Sequence, residues 1–150
     1  MTQASDDRRK NRGFYESWAR ETIRYNDTDR QGHVNNAVFS TLCETGRVRF
    51  LFGPDVPALP PHRAFVIARL VIDYRGELTW PGEAEIGTTI LRVGRSSFTF
   101  GQAIFKDGVC AATAESVIVL MDETTRKSAP LPDGFRDWLL AQVAEDAAQA

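Results

Sequence analysis

From Asn36 to Phe52 the apolar residues leave the two-residue alternation of the preceding segment and take up helical spacing. Phe39, Leu42, Cys43, Gly46 and Phe50 form one stripe, with Val38, Thr41, Thr45, Val48 and Phe52 beside it. Small or apolar residues over so much of the circumference predict a helix buried on most sides. Before it, Trp18–Tyr25 alternates and reads as a strand. After it come four segments rich in β-branched and aromatic residues: Phe65–Tyr74, Glu85–Val93, Ser97–Lys106 and Cys110–Met121. Trp80-Pro81-Gly82, Gly94-Arg95 and Asp107-Gly108 separate them, the last a strong two-residue hairpin signal. One strand, one long helix and four long antiparallel strands make an α+β order. Strands of about 30 Å are long enough to curl around a helix of about 25 Å. The expected architecture is a curved antiparallel sheet wrapped around one central helix.

The remainder of the 150 residues is accounted for by the ends. Residues 1–13 carry Asp6 and Asp7 against Arg8, Arg9, Lys10 and Arg12 with almost nothing apolar, which predicts a frayed, disordered tail. Residues 14–150 then form a single domain. Gly53-Pro54 ends the central helix, and Pro54–His62, with four prolines, reads as a rigid loop. Beyond Pro130-Leu131-Pro132, a short amphipathic helix is expected, with Asp133 as its N-cap and Phe135, Trp138, Leu139, Gln142 and Val143 on one face. The last residues, Glu145–Ala150, are expected to fray.

Charge and cysteine usage exclude several classes. Eighteen Lys and Arg against twenty Asp and Glu give a net charge of −2, which argues against nucleic-acid binding through a basic field. No apolar run reaches about 18 residues and the N-terminus lacks an apolar signal core, so neither a membrane partner nor a secretory route is expected. A cytoplasmic protein is the expectation, and Asn26-Asp27-Thr28 is then a chance glycosylation sequon. Cys43 and Cys110 stand alone and imply neither a disulfide framework nor a zinc knuckle.

The densest polar cluster is Tyr25–Asn36, between the first strand and the helix, with two acids, a histidine and three asparagines. A loop at an element end is where sites tend to be built, and the helix N-terminus beside it offers free N–H groups and the positive end of a dipole. Calcium fails on spacing: counted from Asp27, the twelfth position of an EF-hand loop is Val38 where a Glu is needed. His33 and His62 lack supporting zinc ligands, no G-x-S-x-G is present, and no glycine-rich phosphate cradle exists. What remains is a carboxylate next to a helix N-terminus.

Thr28-Asp29-Arg30-Gln31-Gly32-His33-Val34-Asn35-Asn36, followed by Glu44-Thr45-Gly46-Arg47, resembles the hotdog-fold acyl-CoA thioesterases of the 4-hydroxybenzoyl-CoA type. The resemblance covers about residues 17–121. It implies a curved antiparallel sheet around a central helix, in a homodimer or homotetramer with sites between subunits. It implies that Asp29 is the catalytic carboxylate and that the amide at the helix start, near Asn36, polarises the thioester carbonyl. Gly32, in the same loop motif, is implied to be a substrate-binding residue. Glu44 and Arg47 match the family's E-x-x-R, although Thr45 stands where a second acid is usual. No metal or redox cofactor is called for.

Several of these residues also have plain structural readings. Asp29 could cap a turn, His33 reads as a hydrogen-bonding brace more readily than as a base, and Asn35 and Asn36 are favoured helix-start residues in their own right. Glu44 and Arg47, three apart, predict an ion pair that holds the helix to its neighbour, against a functional reading with Glu44 as a catalytic acid and Arg47 positioning substrate. Arg95, Ser96 and Ser97, in a hairpin, are candidates for contact with the CoA phosphates. The substrate implied is an acyl-CoA or an acyl-carrier-protein thioester. The competing reading is a non-catalytic acyl-CoA-binding module on the same fold, which would need no carboxylate at position 29. Hydratase chemistry would be expected to place a histidine on the helix, and residues 37–52 have none.

Overall fold

A computed structural model describes residues 2–144. Five strands form one antiparallel sheet: β1 Ser17–Thr22, β2 Arg63–Tyr74, β3 Glu83–Val93, β4 Ser97–Lys106 and β5 Val109–Asp122. Their order across the sheet is β1-β3-β4-β5-β2, so the strand that precedes the central helix and the strand that follows it are the two edges. Helix α2, Asn36–Leu51, crosses one face of this sheet, over β1, β3 and β4. This is the expected hotdog architecture. A shorter helix, Asp133–Ala141, continues the cover beyond the C-terminal end of α2, where Phe135 and Leu139 are fully buried. Its first residue is Asp133 itself and the N-cap position belongs to Pro132, so Asp133 is not the cap that the sequence suggests.

Alternation along β3, β4 and β5 divides the sheet into a helix face and an outer face. Two apolar clusters lie under the helices. One gathers Ile23, Phe39, Leu42, Cys43, Ile86 and Ile104 near the start of α2. The other gathers Ile90, Phe98, Phe100, Ile118, Leu120 and Phe135 beyond its end. Between them lie polar residues of the same face: Thr88, Gln102 and Ser116, all about 1% exposed. Gly46 lets α2 come this close to the sheet, because a Cβ there would stand 2.6 Å from Gln102 Nε2 and 2.7 Å from Ile86 Cγ2.

Three expectations need correction. α2 buries one stripe only: Phe39, Leu42, Cys43, Gly46 and Arg47 are covered, whereas Ala37, Thr41, Glu44, Val48 and Phe52 are exposed. The reason is that a single sheet covers one side of the helix, and no described residue packs on the other. The first thirteen residues are not a frayed tail. Gln3–Arg9 forms a helix, α1, capped by the Thr2 hydroxyl, and the segment lies across the outer face of the sheet. Arg9 pairs with Glu115 at 2.8 Å, Asp6 pairs with Arg75, and the Tyr15 hydroxyl donates to Arg9 O at 2.7 Å over an apolar patch of Ala103 and Phe105. The charges that read as a solvated tail are therefore partnered by the sheet. Finally, the first strand ends at Thr22, and Tyr25–Asp27 is a 3-10 turn. Glu145–Ala150 lies outside the described residues.

Candidate active site

The loop between β1 and α2 closes on itself as a small ladder. Asn35 N donates to Asp27 O at 2.8 Å, Thr28 and Val34 bridge, and Asp29 N donates to His33 O at 2.8 Å. Gly32, at φ +82°, makes the reversal, and its N–H donates to Asp29 O at 3.1 Å. A left-handed residue is needed at that point, which is why glycine stands there. Val34 N donates to Leu78 O at 2.7 Å, which ties the ladder to the segment after β2.

The two acids of the loop have opposite environments. Asp27 is buried, and its carboxylate accepts from the Arg24 side chain at 2.8 and 3.2 Å and from Arg24 N at 2.8 Å. These bonds outweigh burial and hold the carboxyl below its ordinary value. Asp29 is exposed. Its Oδ1 accepts from Gln31 N at 2.8 Å and from His33 N at 3.2 Å, and no described group occupies Oδ2. One oxygen fixes the side chain and the other faces solvent, which is the arrangement a positioned base or nucleophile requires.

Asn35 caps α2, with its Oδ1 accepting from Ala37 N at 3.0 Å. Asn36 is the first helical residue, and its N–H has no acceptor among the described residues. Its carbonyl instead accepts from the Tyr74 hydroxyl at 3.2 Å, so the end of β2 holds the helix start in place. Asp29 stands two ladder steps from Asn35, about 7 Å along the strand direction. The Asn36 amide and the Asp29 carboxylate thus belong to one short ladder at the start of α2. His33 Nε2 lies 3.3 Å from Glu77 Oε2, in keeping with a brace. Tyr74 and Glu77 are the members of this site that sequence reasoning missed. Tyr74 ends a strand and Glu77 follows it, about forty residues from the loop, and neither carries a local motif.

The other candidates fall elsewhere in the chain. Glu44 and Arg47 are two and three turns along α2, about 12 and 16 Å from Asn36. They do not form the expected ion pair: Glu44 is exposed, whereas Arg47 is buried and turned to the sheet, its Nη1 donating to Gln102 Oε1 at 3.4 Å. Arg95, Ser96 and Ser97 join β3 to β4 at the end of β3 opposite the one that meets the end of β1, so the fold does not bring them to Asp29 within one chain. No group of three side chains with metal-ligating chemistry occurs among the described residues.

Comparison with known proteins decides the family. Residues 23–139 match the thioesterase-like superfamily. The chain belongs to that superfamily. This thioesterase is 27% identical over 129 residues to a 1,4-dihydroxy-2-naphthoyl-CoA hydrolase of Synechococcus elongatus, across 83% of this chain and 93% of the relative. Among solved structures it resembles a predicted thioesterase from Bacillus stearothermophilus, with 31% identity, TM-score 0.74, and coverage of 84% of this chain and 95% of that one. It also resembles a thioesterase from Thermus thermophilus complexed with coenzyme A and zinc, with 29% identity, TM-score 0.73, and coverage of 86% and 95%. The thioesterase fold and loop thus agree with the reaction class, thioester hydrolysis. No helix among the described residues is long and apolar enough to cross a membrane.

Proposed function

We propose that the enzyme hydrolyses acyl-CoA thioesters to the free acid and CoA, with Asp29 as the catalytic carboxylate and the Asn36 N–H as the oxyanion donor. The observation that carries this reading is the Asp29 side chain, held through Oδ1 by two backbone N–H groups with no described partner on Oδ2, in the loop that leads into the start of α2. The thioester oxygen accepts from the Asn36 amide, which stabilises the charge that develops as the carbonyl carbon is attacked. Asp29 then either removes a proton from the attacking water or attacks the carbon itself. The second route gives a mixed anhydride that water opens. Thiolate leaves in both. Asn35 and His33 position the loop, and Gly32 provides its reversal.

The complete site takes two copies of the chain. Among the described residues β2 is a twelve-residue edge strand with no partner on its outer side, and Val66, Ile67, Val71 and Tyr74 along it are exposed. An unpaired apolar edge of that length favours pairing with a second strand. When two β2 strands pair antiparallel about a two-fold axis, Arg63 of one lies beside Tyr74 of the other. The segment before β2 in one subunit then adjoins the Asn36 end of α2 in its partner. Arg95, Ser96 and Ser97 keep a role in holding CoA phosphates only from outside this centre. The acyl carrier could be CoA or a carrier protein, and side-by-side turnover of both thioesters separates them.

Thiol release from acyl-CoAs by wild type and Asp29→Asn tests the mechanism. Asparagine keeps the Oδ1 acceptor, so the loop stays folded while the rate falls by about a hundredfold or more. Undiminished turnover overturns the assignment, and no turnover by wild type on any thioester favours a binding module. Label left in Asp29 after a single turnover in oxygen-18 water would establish the anhydride route, because general-base hydrolysis puts the label only in the released acid.

A further inference from the structure

Asn36 stands out at the start of α2 for the one polar atom that its backbone surroundings leave open. Every other polar atom of the two peptide units flanking its Cα is bonded. Asn35 O accepts from Val38 N at 2.9 Å. Ala37 N donates to Asn35 Oδ1 at 3.0 Å, and Asn36 O accepts from the Tyr74 hydroxyl at 3.2 Å. Only Asn36 N has no acceptor among the described residues. The bonds on Asn35 O and Ala37 N arise within the helix start itself. The Tyr74 hydroxyl reaches the same peptide units from another element, across 38 positions of sequence.

Tyr74 is itself held on both sides. It is the last residue of β2, and its ring meets Phe39, on the buried stripe of α2, edge-on at a centroid distance of 5.1 Å. Just beyond it, Arg75 N and Gly76 N both donate to Ala111 O, at 2.8 and 3.0 Å, which ties the strand end to β5. Packing does not call for the hydroxyl: the ring alone makes the contact with Phe39, and at 51% exposure water would satisfy the oxygen as well. Because peptide units are planar, the direction of Asn36 N–H follows from the atoms held on either side of the Asn36 Cα. We propose that Tyr74 is a positioning residue for the hydrolysis: its hydroxyl fixes the Asn36–Ala37 peptide and so aims the open Asn36 N–H at the thioester oxygen. Such a donor works only when it points where charge develops, and a misplacement of about 1 Å costs on the order of a hundredfold in rate. The inference rests on the proposed hydrolase reading through its oxyanion donor, and it deepens that reading by naming the side chain that aims the donor.

Tyr74→Phe removes the hydroxyl and keeps the ring. Steady-state assays are expected to show kcat lowered about tenfold with KM within about twofold of wild type. Tyr74 also lies on the β2 margin of the proposed dimer, so sedimentation and thermal melts accompany the assay and should match wild type. A second readout follows the carbonyl itself. Acetyl-, hexanoyl- and benzoyl-CoA carrying carbon-13 at the thioester carbonyl are bound to Asp29→Asn, and infrared difference spectra record the labelled C=O band. The band of the tightest binder should lie below its position in water, and adding Tyr74→Phe should move it back by about half or more. Should Tyr74→Phe fail to fold, Tyr74→Met, apolar at the same strand end, takes the same measurements. A band that depends on Tyr74 in a protein that hydrolyses no thioester would defeat the hydrolase reading and leave this one standing. Unchanged kcat overturns the inference. A band that stays in place does so too, even where kcat falls, because the loss is then one of folding or assembly; Asp29→Asn still decides the hydrolase reading. Failure of all three probes to bind overturns both.

Discussion

Replacing Gly46 by alanine puts a methyl group into the narrowest contact between α2 and the sheet. That carbon would stand 2.6 Å from Gln102 Nε2, 2.7 Å from Ile86 Cγ2 and 2.8 Å from Thr88 Oγ1. In an open helix position the same change would stabilise by about 1 kcal/mol, because glycine is the poorer helix former. Here overpacking costs about 1–3 kcal/mol. Gln102 cannot swing aside freely, since its amide holds Cys43 O and Thr88, and leaving those groups unsatisfied costs a further 1–3 kcal/mol or so. The net expectation is a destabilisation of about 3 kcal/mol, or a fall in Tm of roughly 6–12 °C for a domain of this size. Equilibrium urea unfolding followed by circular dichroism, at one protein concentration, measures it. Gly134→Ala is the internal control. Nothing lies within 4 Å of a Cβ at that helical position, so stability should hold or rise by up to about 1 kcal/mol. A Gly46→Ala variant as stable as wild type would show that the helix does not depend on this close approach, and the account of the polar layer beneath it would fall.

Three further outcomes follow from contacts already described. Asn35→Ala removes the cap of α2 and is expected to cost about 1 kcal/mol, with a loss of kcat larger than any change in KM because the Asn36 amide loses its fixed position; an unchanged kcat in steady-state assays would refute the positioning role. Burial opposes ionisation of Glu115, but bonds from Arg9 and Arg92 outweigh it and hold the carboxyl below its ordinary 4.5. Its contribution is therefore complete above about pH 4.5 and lost as the pH falls through the lower, folded value, so the protection of the Gln3–Arg9 amides, corrected for intrinsic exchange, should fall on acidification. Glu115→Gln should lower that protection at neutral pH and weaken its acid dependence, the Asp6–Arg75 pair supplying the remainder. Val71→Lys puts a charge on the exposed β2 edge and should yield a monomer in analytical ultracentrifugation with little activity; a dimer with full turnover would place the subunit contact elsewhere.

The sequence carried the fold in its periodicities. Alternation located the strands, the Asp107-Gly108 turn fixed one hairpin, and Gly53-Pro54 ended the helix where the structure ends it, within a residue or two. The loop carboxylate and the helix start were equally legible, because their chemistry is packed into nine consecutive residues. What the sequence hid was everything settled by distance along the chain. Arg9 and Asp6 looked like solvated charge because their partners, Glu115 and Arg75, lie some seventy to a hundred residues on. Arg47 looked like the partner of Glu44 because local spacing favoured it, yet the helix turns Arg47 towards Gln102 and leaves Glu44 outside. Helix burial was overestimated for a related reason: apolar spacing records how much surface can be covered, not whether one chain supplies the cover.

A sheet can be extended at either edge or stacked on either face, and here the openings are unequal. α2 occupies one face, and α1 with Tyr15 lies across the middle of the other. The short outer edge at β1 carries Arg20 and Glu21, charges that discourage a further strand. Only β2 offers a long apolar margin among the described residues. Each copy therefore offers one long apolar sheet margin among the described residues. A dimer formed as proposed above would close that margin in both subunits and leave the two charged β1 strands as the outer edges of the joined sheet.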